Sequence, residues 1–284
     1  MASENDPAEI SAEATDTVLR LLWRAQLGEE RGRRGPRKKL SIDEIVDAAI
    51  ELADAEGLAS FSMRKVAQRV GLSVMALYTY VPDRSGLIGL MIDQAIGRAP
   101  MPPHAGTLRD RLRRISRVLW EEYHRHPWLL DARSHRPWIG PHLSARYEWE
   151  LQAIEGSGLD DVSMDHTVAL IETHTAANAA NSIDARRLAQ ASGVTDVEWW
   201  SVNAPILEQV MAPGVFPLSG RVGSAVGEAY QAVTNHEAVY EFGLDSLYCP
   251  SDAYRAAFRQ TDAGHVRLDA CPPTVEVSTA RPKP

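Results

Sequence analysis

Residues 62–81 read SMRKVAQRVGLSVMALYTYV, and this stretch decides the fold. Ser62 and Ser73 each stand one residue ahead of a helix-compatible run, where a hydroxyl accepts an orphan backbone N–H. Two short helices are therefore expected, joined by a tight turn at Gly71, whose lack of a side chain permits positive φ. In the first, Val66, Ala67 and Val70 share a face, and the small Ala67 lets the second helix cross closely. In the second, Leu77 and Val81 point inward. Val74, Met75, Ala76, Tyr78 and Thr79 are left on its exposed N-terminal part, the place from which a helix-turn-helix touches base edges. For Val74 and Met75 the plainer alternative is packing on the neighbouring helix.

Working outward, Ser41 and Glu44 form an S-x-x-E capping box ahead of Ile42, Ile45, Val46, Ala49, Leu52 and Ala53, which repeat at helical spacing until Gly57. Three helices thus share one small core. A fourth runs from about Ser85 to Gly97. Residues 31–88 carry 10 basic and 7 acidic groups within a chain of net charge −8, and six of those cations lie in Arg31, Arg33, Arg34, Arg37, Lys38 and Lys39. Such an arm suits phosphates and an adjacent minor groove; the bland alternative is a solvated linker. Further upstream, Val18, Leu19, Leu22 and Trp23 predict an extra helix within residues 11–27, packed on the reader or covering the second domain. The first ten residues are expected to be disordered. The stretch lacks about 20 consecutive apolar residues and a secretory charge-apolar-cleavage order, which points to a cytoplasmic protein without a membrane span.

The pattern S-M-R-K-V-A-Q-R-V-G-L-S-x-x-A-L-Y-x-Y-V, followed by P-D-R-S-G-L and an apolar helix, resembles the DNA-binding domain of the tetracycline-repressor (TetR/AcrR) family of bacterial regulators. The motif resemblance spans roughly residues 40–97. It implies that Arg64 takes the place of a base- or phosphate-reading residue, Tyr78 and Tyr80 those of backbone contacts, and Arg84 that of a phosphate clamp. Met63 and Ser73 complete the expected DNA-binding set. The chain departs from the tetracycline repressor at Val74, Met75, Ala76 and Thr79, so that protein's operator is not carried over; apolar groups there suit thymine methyls. The position of its drug-contacting His is Pro100 here, which argues against tetracycline as a ligand.

The segment APMPP at 99–103 marks a boundary before a second helical domain. Thr107 caps a helix with Leu108, Leu112, Ile115, Leu119 and Tyr123 on one face and Arg109, Arg111, Arg113, Arg114 and Arg117 opposite. Leu143, Tyr147, Leu151 and Ile154 form another stripe, Val162–Ile183 a helix rich in small residues, and His236–Tyr248 a closing helix with Ala238, Val239, Phe242 and Leu247 on a common side. The expected architecture is all-α: an N-terminal extension over 1–39, a three-helix helix-turn-helix domain over 40–98, a ligand-binding and dimerisation bundle over 104–260, and a disordered tail over 261–284.

Six of the seven tryptophans lie in the second domain. The residues expected to line an effector site are Trp120, Tyr123, Trp128 and Trp138, with Arg133, His135, His174 and Asn178 as polar contacts. A tryptophan in a bundle is otherwise plain core. His166 and His174 are too far apart on a helix to share an ion; Cys249 and Cys271 suggest neither a disulfide nor zinc. No nucleophile elbow, P-loop or dinucleotide fingerprint is present. The expectation is a homodimeric regulator without metal, cofactor or catalytic residues, more often a repressor in this family, released from a near-palindromic DNA operator by a small organic, aromatic or apolar effector. The alternatives are a regulator or activator without an effector, and a helical enzyme or ligand carrier.

Overall fold

The computed structural model describes residues 12–28, 40–133, 137–210 and 216–247. Thirteen helices and no strand occur among them, as the all-α expectation requires. The chain divides into two compact units, Met1–Tyr240 and Glu241–Pro284. The basic arm, His135 and the tail over 261–284 lie outside the described residues.

The N-terminal extension forms α1 (Ala12–Leu22) and the single turn α2 (Arg24–Leu27). Helix α3 (Ile42–Glu56) starts with both halves of the predicted capping box: Glu44 N–H donates to Ser41 Oγ at 3.1 Å, and Ser41 N–H donates to Glu44 Oε2 at 2.7 Å. Helices α4 (Met63–Arg69) and α5 (Val74–Leu77) are capped by Ser62 and Ser73 and joined through Gly71 at φ 70°. Helix α5 is shorter than the periodicity predicted. Past Leu77 the chain turns, and the Thr79 hydroxyl donates to Ala76 O at 2.7 Å instead of facing outward unpaired. Asp83 then caps α6 (Arg84–Arg98), accepting from Gly86 N–H at 2.7 Å.

One core unites these elements. Val18 and Leu22 of α1, Ile45, Val46 and Ala49 of α3, Val66 of α4, Leu77 of α5 and Leu87 and Met91 of α6 are all buried in it. A fully buried aliphatic side chain of this kind contributes roughly 1.5–3 kcal/mol. The extra N-terminal helix therefore packs on the reader. It also reaches further, since Trp23 Nε1–H donates to Ile139 O at 2.9 Å and Arg24 pairs with Asp43 of α3.

Helix α6 carries glycines at interior positions, each of which costs about 1 kcal/mol against alanine in a helix. Their use is close approach. A Cβ at Gly86 would lie 2.6 Å from Val18 Cγ2, one at Gly97 would lie 2.6 Å from the His142 ring, and one at Gly89 would collide with Trp138.

Beyond α6 come α7 (Leu108–Arg125), α8 (Trp128–Asp131), α9 (Pro141–Ile154) and α10 (Asp161–Ser192). Helix α7 lies along α9 and α10. The predicted helix over 162–183 continues to Ser192, because no breaker intervenes before Gly193, which takes the left-handed conformation at φ 68°. The residue at the N-cap of α9 is Gly140, which has no side chain to cap the helix. Asp93 of α6 does so instead, with Oδ1 accepting from His142 N–H at 3.0 Å and Leu143 N–H at 2.9 Å. Helices α11 (Asp196–Val210), α12 (Pro217–Tyr230) and α13 (His236–Leu247) complete the described chain.

Two predicted stripes are rotated. In α9 the buried face is Arg146, Trp149, Glu150, Ala153 and Ile154, while Tyr147 is exposed. An ion-containing face is invisible to a count of apolar periodicity. In α13 Tyr240 and Leu244 are buried, whereas Val239 and Phe242 are exposed.

Candidate DNA interface and buried polar core

The turn α4–α5 presents a small platform whose base is Leu77, fully buried beneath it. Above that anchor Met75 is 76 % exposed and Tyr78 43 % exposed, with Thr79 and Arg64 also exposed and Ala76 half-buried. Ser73 is exposed and commits its hydroxyl to Ala76 N–H at 3.1 Å, so it holds the start of α5. Val74 is half-buried against the core.

Three further residues of the expected set have protein partners. Met63 and Tyr80 are buried in the core, where apolar burial outweighs display. Arg84 donates to Leu58 O at 3.1 Å and lies 5.6 Å over the Phe61 ring, so its side chain ties α6 to the α3–α4 loop. Neighbouring cations are also engaged, Lys65 with Glu56 at 2.6 Å and Arg69 with Glu51 at 2.7 Å. Arg33, Arg34, Arg37, Lys38 and Lys39 lie outside the described residues.

The residues singled out for an effector separate into three groups. Trp120, His174 and Asn178 gather at Tyr240: the Trp120 and Tyr240 rings stack at 4.3 Å, His174 Nε2 lies 3.1 Å from Tyr240 O, and Asn178 Nδ2 donates to His174 O at 2.9 Å. Beneath them Ser116 Oγ is 2.7 Å from Thr175 Oγ1 and 2.8 Å from the Tyr240 hydroxyl, a buried chain that the sequence did not reveal. Trp128 and Trp138 instead face the reader. Trp128 is buried in the same core as α3–α6, and Trp138 covers Gly89 of α6.

Tyr123 belongs to the third group, a buried ionic cluster between α7, α9 and α10. Arg146 donates to both carboxylate oxygens of Glu122, at 3.3 and 3.4 Å. Glu150, one turn further along α9, is 1 % exposed, and its Oε1 has no hydrogen-bond partner among the described residues. Burial first, then repulsion by Glu172, pushes the Glu150 carboxyl up to about 8. Burial likewise raises Glu172 and the Tyr123 hydroxyl, and the charge of Arg133 opposes both shifts. Arg133 itself is exposed. Sequence reading missed Glu122, Arg146, Glu150 and Glu172 because charged residues on a helix are ordinarily solvated. Among the described residues no three His, Cys, Asp or Glu side chains converge closely enough to hold a metal ion, and no helix is long and apolar enough to cross a membrane.

Comparison with known proteins agrees with this layout. Residues 45–89 match the family model of bacterial regulatory proteins of the tetR family, and residues 99–248 match that of the tetracyclin repressor-like C-terminal domain. The chain is 35 % identical over 203 residues to the HTH-type transcriptional repressor DrrR1 of Streptomyces coeruleorubidus, covering 71 % of this chain and 74 % of that protein. An HTH-type transcriptional regulator of Saccharopolyspora erythraea is 34 % identical over 124 residues, 42 % of this chain and 51 % of the relative. Among solved structures, apo ActR from Streptomyces coelicolor superposes with a TM-score of 0.60 at 23 % identity, covering 74 % of this chain and 94 % of that one. The same protein in complex with actinorhodin superposes equally well, TM-score 0.60 at 22 % identity, covering 74 % and 95 %. With a reader built on α3–α5, an all-helical bundle behind it and both family models matched, the chain belongs to the tetR family of bacterial transcriptional regulators.

Proposed function

We propose that this regulator acts in the cytoplasm as a homodimeric, non-enzymatic repressor that reads a near-palindromic operator and leaves it when a small organic molecule enters the bundle of α7, α9 and α10. The observation that carries the reading is the platform of Met75, Tyr78, Thr79 and Arg64, exposed above the buried Leu77. One such platform spans only a few base pairs, so a second copy supplies the other half-site about 34–36 Å away or a multiple of that. The basic arm over 31–39 supplies the phosphate and minor-groove contacts that an acidic chain otherwise lacks. The actinorhodin complex of ActR gives precedent for a small organic ligand on a similar fold. Domain limits of 40–98 for the reader and 104–260 for the bundle fit this division of labour.

Transmission to DNA runs through α6, which shares the reader core and whose Asp93 caps α9. A ligand that prefers one placement of α9 shifts the population of α6 and hence the spacing of the two readers. The test is selection of the full chain against a randomised duplex pool at several salt concentrations. Enrichment of an inverted repeat is expected. Weak, salt-sensitive binding without an enriched motif overturns the reading.

A further inference from the structure

The buried ionic cluster is unbalanced, and the imbalance specifies a ligand. Helices α7, α9 and α10 bring Glu122, Glu150 and Glu172 together, against one buried cation among the described residues, Arg146. That guanidinium faces both oxygens of Glu122 and lies 5.8 Å over the Trp149 ring, while its Nε–H is buried without a partner among the described residues. Glu150 is left beside it with Oε1 buried and unpartnered. A buried acceptor without a donor is uncommon and costly in a folded protein, and a bound partner is one way to satisfy it. Glu172 is half-buried and Arg133 exposed, so the cluster opens toward solvent on that side.

We infer that the effector carries an organic cation, a protonated amine being the simplest case, and that Glu150 is the residue that selects it, with Glu172 at the entrance. This rests on the reading that the bundle takes an effector. Among the described residues the carboxylates form no metal-holding group, whereas an alkylammonium offers several donors to Glu150 and its hydrocarbon suits the neighbouring Tyr123 ring. The raised carboxyl of Glu150 fits a site that stays neutral when empty and ionises when a positive charge arrives. The charged and titratable groups around it are Glu172 on α10, Arg146 and Tyr147 on α9, and Glu122 and Tyr123 on α7, while Arg133 and Asp165 act on Glu172.

The experiment uses the full chain and three probes of similar shape: 1-naphthylmethylamine, 1-naphthylmethanol and 1-naphthoate. Binding is read by tryptophan fluorescence and by calorimetry in two buffers of different ionisation enthalpy. The amine is expected to bind about tenfold more tightly than the alcohol, with proton release, and the carboxylate more weakly than either. Glu150→Gln, of equal size, removes both the preference and the proton release; Glu172→Gln, at the half-buried entrance, reduces the preference and serves if Glu150→Gln does not fold. Equal binding of amine and alcohol, a preference for the carboxylate, or a preference that survives in both variants overturns the cation assignment while leaving the effector reading in place. Binding by none of the three overturns the cation assignment together with the effector reading.

Discussion

Trp128 donates its indole N–H to Asp54 Oδ1 at 2.7 Å, joining the first turn after the α7 helix to the last turns of α3. His126 Nδ1 lies 2.7 Å from the same oxygen. Trp128 is 1 % exposed and packs in the reader core. The bundle and the reader are therefore not two bodies on a flexible link: a side chain of one fills the interior of the other. The segment after α7 is thus tied directly to α3, in addition to the tie that α6 makes with α9.

Removing that oxygen should cost stability. Asp54→Ala leaves a buried indole N–H and an imidazole without their acceptor, a loss of about 1–3 kcal/mol. Trp128→Ala adds a cavity and should cost about 3–5 kcal/mol. Urea denaturation followed by far-ultraviolet circular dichroism measures both, and equal midpoints for wild type and Trp128→Ala would show that the indole does not support the core.

The reader separates display from support. Met75→Ala and Tyr78→Ala alter exposed side chains, so folding stability should change by no more than about 0.5 kcal/mol, while affinity for a selected operator falls about tenfold or more. Leu77→Ala truncates a fully buried anchor and should cost about 2–5 kcal/mol. Titration of labelled operator at fixed salt, paired with thermal melts, distinguishes the two. Undiminished operator affinity in Tyr78→Ala would remove that side chain from the interface.

The glycine notch of α6 and the borrowed cap of α9 should both be intolerant of change. Gly89→Ala drives a methyl into Trp138 and, by overpacking, should cost about 1–3 kcal/mol. Asp93→Ala strips the first turn of α9 of its acceptor, for about 0.5–2 kcal/mol. If the cap transmits the effector signal, Asp93→Ala also weakens operator release by ligand. Melting temperature and the ligand-dependent change in operator affinity are the two readouts.

Stability should fall as pH rises through the neutral range. Glu150 is protonated in both states at low pH. Above its ordinary value of 4.5 the unfolded carboxyl ionises while the folded one holds its proton to about 8, so the unfolded state is favoured progressively across that window and no further beyond it. Each unit of difference corresponds to about 1.4 kcal/mol, hence a loss of a few kcal/mol. Glu150→Gln should flatten this part of the profile. Thermal melts between pH 5 and about pH 8.5 test it, and parallel profiles for wild type and variant would show that another group governs the slope.

Local chemistry alone specified much of the reader. The Ser41–Glu44 box, the Ser62 and Ser73 caps and the positive φ of Gly71 all depend on residues a few positions apart, and the inward face of α3 follows from helical spacing. The sequence by itself thus determined an all-α chain, a helix-turn-helix with Leu77 as its anchor, and an extra helix carrying Val18 and Leu22. What depended on partners far along the chain did not show. Asp93 capping a helix that starts near residue 141, Trp128 seated in the reader core, Tyr80 buried, Arg84 bonded to Leu58 O, and Glu150 buried on α9 were decided only by tertiary structure. The physical reason is that a polar side chain is assigned to solvent, to a cap or to a buried pair by the groups that reach it in space, and those groups share no periodicity with it in sequence.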